Sequence, residues 1–177
     1  MNRDACSPPL SLIWTHHLQG GLMHRYRIQG IPDAIATAAR DTMKSPQYGH
    51  PAHVETASGY GPCRFCLHTF EEGRDQRVLF TYQPFIDPAA LPAPGPVYIH
   101  RDRCERYDGT RLPEALRPLP LALDGYAPGG TLLVQRRVDG SRFEDVLDGV
   151  FELEQVRYAH LRNAEAGCFI ARIDRIE

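Results

Sequence analysis

The chain has 177 residues, 42% of them apolar, and a formal net charge of −2. That length suits one compact domain able to bury roughly 70% of its unfolded surface. The ordinary composition excludes disordered, collagenous and repeat classes, and no apolar run approaches the ~20 residues of a membrane helix.

Residues 1–22 lack any sustained helical or strand period and carry Pro8-Pro9, His16-His17 and Gly20-Gly21. They are expected to form an irregular extension, with Met23 opening a single α+β domain over 23–177. Arg25–Ile28 reads as a strand. Pro32 suits the first turn of a helix whose apolar face would carry Ile35, Ala38, Ala39, Thr42 and Met43, stopped by Ser45-Pro46. Val54–Ala57 is a short strand candidate, and Cys63–Glu72 a short helix with Gly73 as its C-terminal stop.

Val78–Tyr82 is β-branched and aromatic. A proline-rich stretch, 87–96, forms a long loop before the strand Val97–Ile99. Leu119, Leu121 and Leu123 alternate, Gly125–Gly130 makes a turn, and Thr131–Val134 follows as a strand. Asp139-Gly140 is a turn. Ser141 and Glu144 then form a capping box for a second helix, with Phe143, Val146, Leu147 and Val150 on one face. Val156–Leu161 and Cys168–Ile173 read as a terminal hairpin. Without regular β-α alternation, these elements predict one largely antiparallel, curved sheet with two main helices.

Nineteen arginines against the single Lys44 are interspersed with acids, as on a mixed solvated surface, and carry no assigned function. Near-neutral charge argues against a general nucleic-acid partner, and no partner or oligomeric state is assigned. Five cysteines without a basic, apolar secretory leader predict a cytoplasmic protein whose thiols stay reduced. Phosphate-loop, dinucleotide-binding, HExxH and GxSxG motifs are absent.

The densest chemistry lies in Gly59-Tyr60-Gly61-Pro62-Cys63-Arg64-Phe65-Cys66-Leu67 and in His100-Arg101-Asp102-Arg103-Cys104. Cys63, Cys66, His100 and Cys104 form two ligand pairs separated by residues 67–99, the donor set of a closed Cys3His zinc site in a binding or structural module. Leu67 departs from the glycine common after the second cysteine of a zinc knuckle. Three readings stay open. The thiols pack as small hydrophobes, they hold zinc, or Cys63 and Cys66 form a redox pair, with Cys63 activated by a helix start and by Arg64. The last reading makes the protein a thiol-dependent oxidoreductase. Cys168 is expected to be a core thiol and His160 a satisfied structural side chain. Cys6 receives no role.

GYGPCRFCL at 59–67, LFTYQPF at 79–85, GPVYIHRDRC at 95–104 and HLRNAEAGC at 160–168 together resemble the bacterial family called domain of unknown function 1203. The likeness runs over roughly 24–175 and includes Cys63, Arg64, Cys66, His100, Cys104, Arg162 and Cys168. It implies a soluble, single-domain protein with a shared pocket-forming region, and no activity, substrate or cofactor.

Overall fold

The computed structural model describes residues 26–59, 61–85 and 94–176. The extension 1–22, with Cys6 and His16-His17, lies outside them, as do Met23 and the proline-rich stretch up to residue 93.

Nine strands and two α-helices follow in chain order among the described residues: β1 (Tyr26–Gln29), α1 (Asp33–Thr42), β2 (His53–Thr56), β3 (Gln76–Tyr82), β4 (Gly95–His100), β5 (Asp108–Gly109), β6 (Leu121–Tyr126), β7 (Leu132–Val138), α2 (Phe143–Phe151), β8 (Tyr158–Asn163) and β9 (Phe169–Arg175). The expected α+β class holds, with every strand pair antiparallel. One feature differs. The strands form two sheets, one of six in the order β5-β1-β9-β8-β6-β7 and one of three in the order β2-β3-β4. No helix among the described residues is long and apolar enough to cross a membrane.

The main core lies under α2, where Phe143, Leu147 and Val150 pack with Leu121 and Leu123 of β6 and with Leu161, Ile170 and Ile173. β6 is buried at all six positions, so its sequence shows no simple inside-outside alternation. A second core joins α1, the 63–70 segment and the small sheet, and Phe169 of β9 enters it from the large sheet. The two sheets therefore meet around residues 63–70, which position the chemistry described below.

Several local expectations are corrected. The Cys63–Glu72 helix does not form; two turns, at 64–66 and 72–74, replace it. Its backbone groups instead close the loop on itself, Cys63 N–H donating to His68 O and Phe70 N–H to Gly61 O, and join it to β4 through Arg64 N–H to Tyr98 O. Gly73 sits in a turn at φ +73°, not at a helix end. On α1 the buried residues are Ala36, Ala39 and Arg40, whereas Thr42 is exposed. The helix closes on Met43 in the left-handed region, whose N–H donates to Ala39 O. At α2 the Ser141–Glu144 capping box is absent. Asp139 accepts from the Ser141 N–H and begins a single 3-10 turn, Gly140–Arg142, that leads into the helix, while Glu144 pairs with Arg117. Gly95 and Pro96 belong to β4, an edge strand where the missing proline N–H is tolerated. Gly125 and Tyr126 likewise belong to β6, and the turn is confined to residues 128–130.

Gly30 shows how tightly the 63–70 segment is seated. A Cβ there would lie 2.0 Å from the Phe65 carbonyl oxygen. The neighbouring backbone is locked by Gly30 N–H to Tyr107 O, Ile31 N–H to Arg64 O and Tyr107 N–H to Phe65 O. Gly30→Ala is therefore expected to lower unfolding stability by at least the ~1–3 kcal/mol typical of core overpacking. Chemical denaturation measures it, and an unchanged midpoint would contradict this seating.

Candidate metal centre

Cys63 and Cys66 leave a tight loop closed by an isolated bridge between Pro62 and Thr69. His100 is the last residue of β4, and Cys104 follows in the adjoining loop. The ladder between β3 and β4 fixes His100 opposite Arg77. Folding brings these sequence-distant pairs together, with all four donor atoms within 4.8 Å of one another.

The individual contacts suit a small cation. Cys66 Sγ lies 3.4 Å from His100 Nδ1. A tetrahedral zinc with its usual sulfur and nitrogen bond lengths separates such a pair by about 3.5 Å. Leu67 supplies the local backbone geometry. It adopts φ +60°, the left-handed conformation a glycine would reach without strain. Its side chain is fully buried in the main core, and this packing offsets the strain. The departure from the usual knuckle glycine therefore leaves the loop shape intact. Within that loop the Cys66 amide serves the Cys63 sulfur and the His68 amide serves the Cys66 sulfur. The His100 backbone N–H also donates to Cys63 Sγ at 3.4 Å.

Two supporting residues come from elsewhere. Arg40, buried in the last turn of α1, donates from Nη2 to Cys104 Sγ at 3.3 Å and from Nε to the His100 carbonyl at 2.9 Å. Its charge would balance the single negative charge that three thiolates and a divalent ion, if held there, would leave. Asp75 Oδ2 lies 3.4 Å from His100 Nε2 and orients the ring so that Nδ1 faces the sulfurs. Sequence reasoning missed both residues. A helical arginine and an aspartate in a turn carry no local signal, since neither stands near the ligands along the chain.

The titration of the cluster is dominated by its own contacts. Burial pushes the Cys63 thiol up, but hydrogen bonds from Cys104, Cys66 and His100 outweigh it and hold Cys63 well below the usual thiol range. Cys66 is raised, first by its hydrogen bonds with Cys104 and Cys63 and then by burial. Hydrogen bonds with Cys104 and Cys63 raise His100 to about 10. The ring must lose that proton before it can ligate a cation. A cleft of about 360 Å³, lined in part by Cys66, Asp75, His100, Cys104 and Arg106, gives access from solvent.

The redox geometry fares differently. Cys63 is fully buried and no helix begins at it, so neither exposure nor a helix terminus activates the thiol. Arg64 is also buried and donates from Nε to Phe169 O at 2.6 Å and from Nη1 to Pro62 O. Cys168 precedes β9 and is half-buried, not a core thiol, and it stands apart from the four-residue cluster.

His160 is structural but not satisfied. It is fully buried among the rings of Phe85, Tyr126, Tyr158 and Phe169, and neither ring nitrogen has a hydrogen-bond partner among the described residues. Burial first, then Arg172 and Arg162, lower its pKa from 6.5 to about 3. Between those two values the unfolded chain takes up a proton that the folded chain refuses. His160 therefore contributes no pH penalty above 6.5, and stability falls as pH drops toward 3. His160→Phe is expected to raise stability at neutral pH by about 1–3 kcal/mol, because unmet buried polar atoms disappear. It should also flatten the acid limb of the stability profile. Superimposable acid limbs in urea titrations of the two proteins would contradict the account.

The family model for "Protein of unknown function (DUF1203)" matches residues 60–175, nearly two-thirds of the chain. The match includes all four clustered residues and begins after β2. No curated protein and no solved structure matches the chain.

Proposed function

We propose, on the premise that the chain belongs to the DUF1203 family and that this family brings no assigned activity, that the protein is a zinc-stapled structural or binding module. One observation carries the reading: the donor atoms of Cys63, Cys66, His100 and Cys104 lie within 4.8 Å of one another. Three sulfurs and an imidazole nitrogen are the donor set zinc prefers, and four protein ligands complete a tetrahedron. Such a site is closed and favours a structural role over a catalytic one. Zinc held there would tie the 61–69 loop to the end of β4 and, through Arg40, to α1. Thiolate ligation also fits a reducing compartment, which is the basis for assigning the protein to the cytoplasm.

The depressed Cys63 thiol favours the alternative, a thiol-dependent oxidoreductase using Cys63 and Cys66, but full burial withholds that sulfur from a substrate. Metal analysis separates the two. Protein purified without added metal is expected to carry one zinc per chain, with Cys63 and Cys66 resistant to alkylation until a chelator is added. Well under one equivalent, together with fast alkylation of Cys63, would overturn the zinc reading.

A further inference from the structure

The three clustered sulfurs differ in what reaches them from solvent. Cys63 is fully buried and does not border the cleft of about 360 Å³, whereas Cys66 and Cys104 both line it. Cys66 is only 6% exposed and Cys104 is half-buried, so a small solute in the cleft meets Cys104 first. Arg40 adds a second difference. Its Nη2 donates to Cys104 Sγ at 3.3 Å, and a cation there favours the thiolate, the nucleophilic form of a cysteine. Exposure and thiolate character together select which cysteine an oxidant attacks. The segment carrying Cys104 is anchored at its two ends. Arg101 N–H donates to Gln76 O on one side, and on the other the Arg106 guanidinium donates to Gly30 O and Tyr107 N–H to Phe65 O. Cys104 lies between these anchors, outside any helix or strand, and its sulfur is within 4.8 Å of the other donors. A local shift of that loop closes the gap to the ~2.05 Å of a disulfide.

We propose that Cys104 is a modification site for a hydroperoxide, resolved by Cys66 into a Cys66–Cys104 disulfide. The Cys104 thiolate attacks one oxygen of hydrogen peroxide. The O–O bond breaks, hydroxide leaves, and the sulfur becomes a sulfenic acid. Cys66 then attacks that sulfur, the S–O bond breaks, and a second hydroxide leaves into the cleft as the S–S bond forms. A Cys66 that starts as the thiol gives its proton to the departing hydroxide, and water leaves instead. The two sulfurs together lose two electrons, and the peroxide gains them. Cys63 is the poorer partner, because its buried sulfur already accepts the His100 backbone N–H at 3.4 Å. One consequence rests on the zinc reading above: the disulfide removes two of the four clustered ligands, so a bound ion is released.

The test uses the reduced full chain without substitution, its zinc content measured first. Hydrogen peroxide is added, released zinc is followed with a chromogenic indicator, and remaining thiols are blocked before digestion. Trypsin cuts after Arg64 and Arg103, so Cys63, Cys66 and Cys104 fall in separate peptides and the linkage is read by mass. The expected product joins residues 65–74 to residues 104–106, with Cys168 still free. Dimedone present during oxidation should label Cys104 ahead of Cys63, Cys66 and Cys168. Zinc-loaded chain should lose nearly all its zinc in step with the linkage, and dithiothreitol with added zinc should restore the starting state. Linkage through Cys63, dimedone labelling of Cys66 or Cys168 ahead of Cys104, or free thiols after excess peroxide would overturn the proposal. The two readings fail separately. A chain without zinc that still forms the Cys66–Cys104 linkage refutes only the zinc site, and a zinc-loaded chain that keeps its thiols and its ion refutes only the modification site.

Discussion

Replacing any one of Cys63, Cys66 and Cys104 by Ser, or His100 by Ala, is expected to lower unfolding stability by more than about 4 kcal/mol, a range reserved for mechanisms such as metal loss. The expectation follows from the proposed zinc site, in which the four ligands act as one unit. Losing one abolishes tight binding, and with it folding energy that structural zinc supplies at ~10–16 kcal/mol in isolated peptides. The four variants should therefore lose similar amounts and should respond little to chelator. The parent chain should lose a comparable amount when chelator is added. Cys168→Ser is the control, since Cys168 is absent from the cluster, and its cost should stay near about 1 kcal/mol. Asp75→Asn should weaken zinc affinity about 10–100-fold through the freed His100 ring while leaving the ligand count intact. Denaturation with and without chelator, read beside metal content, tests the set. Unequal losses confined to Cys63 and Cys66, with His100→Ala neutral, would contradict the site.

The second large effect lies in the main core. Leu147→Ala is expected to cost about 2–5 kcal/mol, because Leu147 is fully buried where α2 covers the large sheet. The neighbouring Val146 is only half-buried, so Val146→Ala should cost less than about 1 kcal/mol. Urea unfolding of both variants gives the comparison. A Leu147→Ala loss near that of Val146→Ala would mean that α2 turns a different face to the sheet.

Local patterning carried much of the fold. The apolar spacing of Phe143, Leu147 and Val150 identified the buried face of α2, and the β-branched, aromatic run at 78–82 marked most of β3. The terminal pair of strands was legible too, since β8 and β9 are joined by a short polar turn and pair antiparallel. Patterning failed where long-range contacts outweighed local preference. The Cys63–Glu72 segment has helix-like spacing, yet its backbone groups bond to Tyr98, Ile31 and Tyr107 across the molecule. Arg40 lies off the apolar face expected for α1, and its guanidinium reaches His100 and Cys104. At α2 the stronger acceptor of Asp139 captured the Ser141 N–H, displacing the capping box.

The division at the candidate site follows the same physics. Residue type and spacing along the chain are enough to nominate Cys63, Cys66, His100 and Cys104, because a ligand set is a matter of donor chemistry and short intervals. Whether the two pairs meet depends on the β3–β4 register and on the seat that Gly30 leaves for the Phe65 carbonyl, and neither is written in local sequence. The same holds for Arg40 and Asp75 and for the unmet nitrogens of His160. Burial and hydrogen-bond satisfaction belong to the three-dimensional neighbourhood of a side chain, so only the tertiary structure decides them.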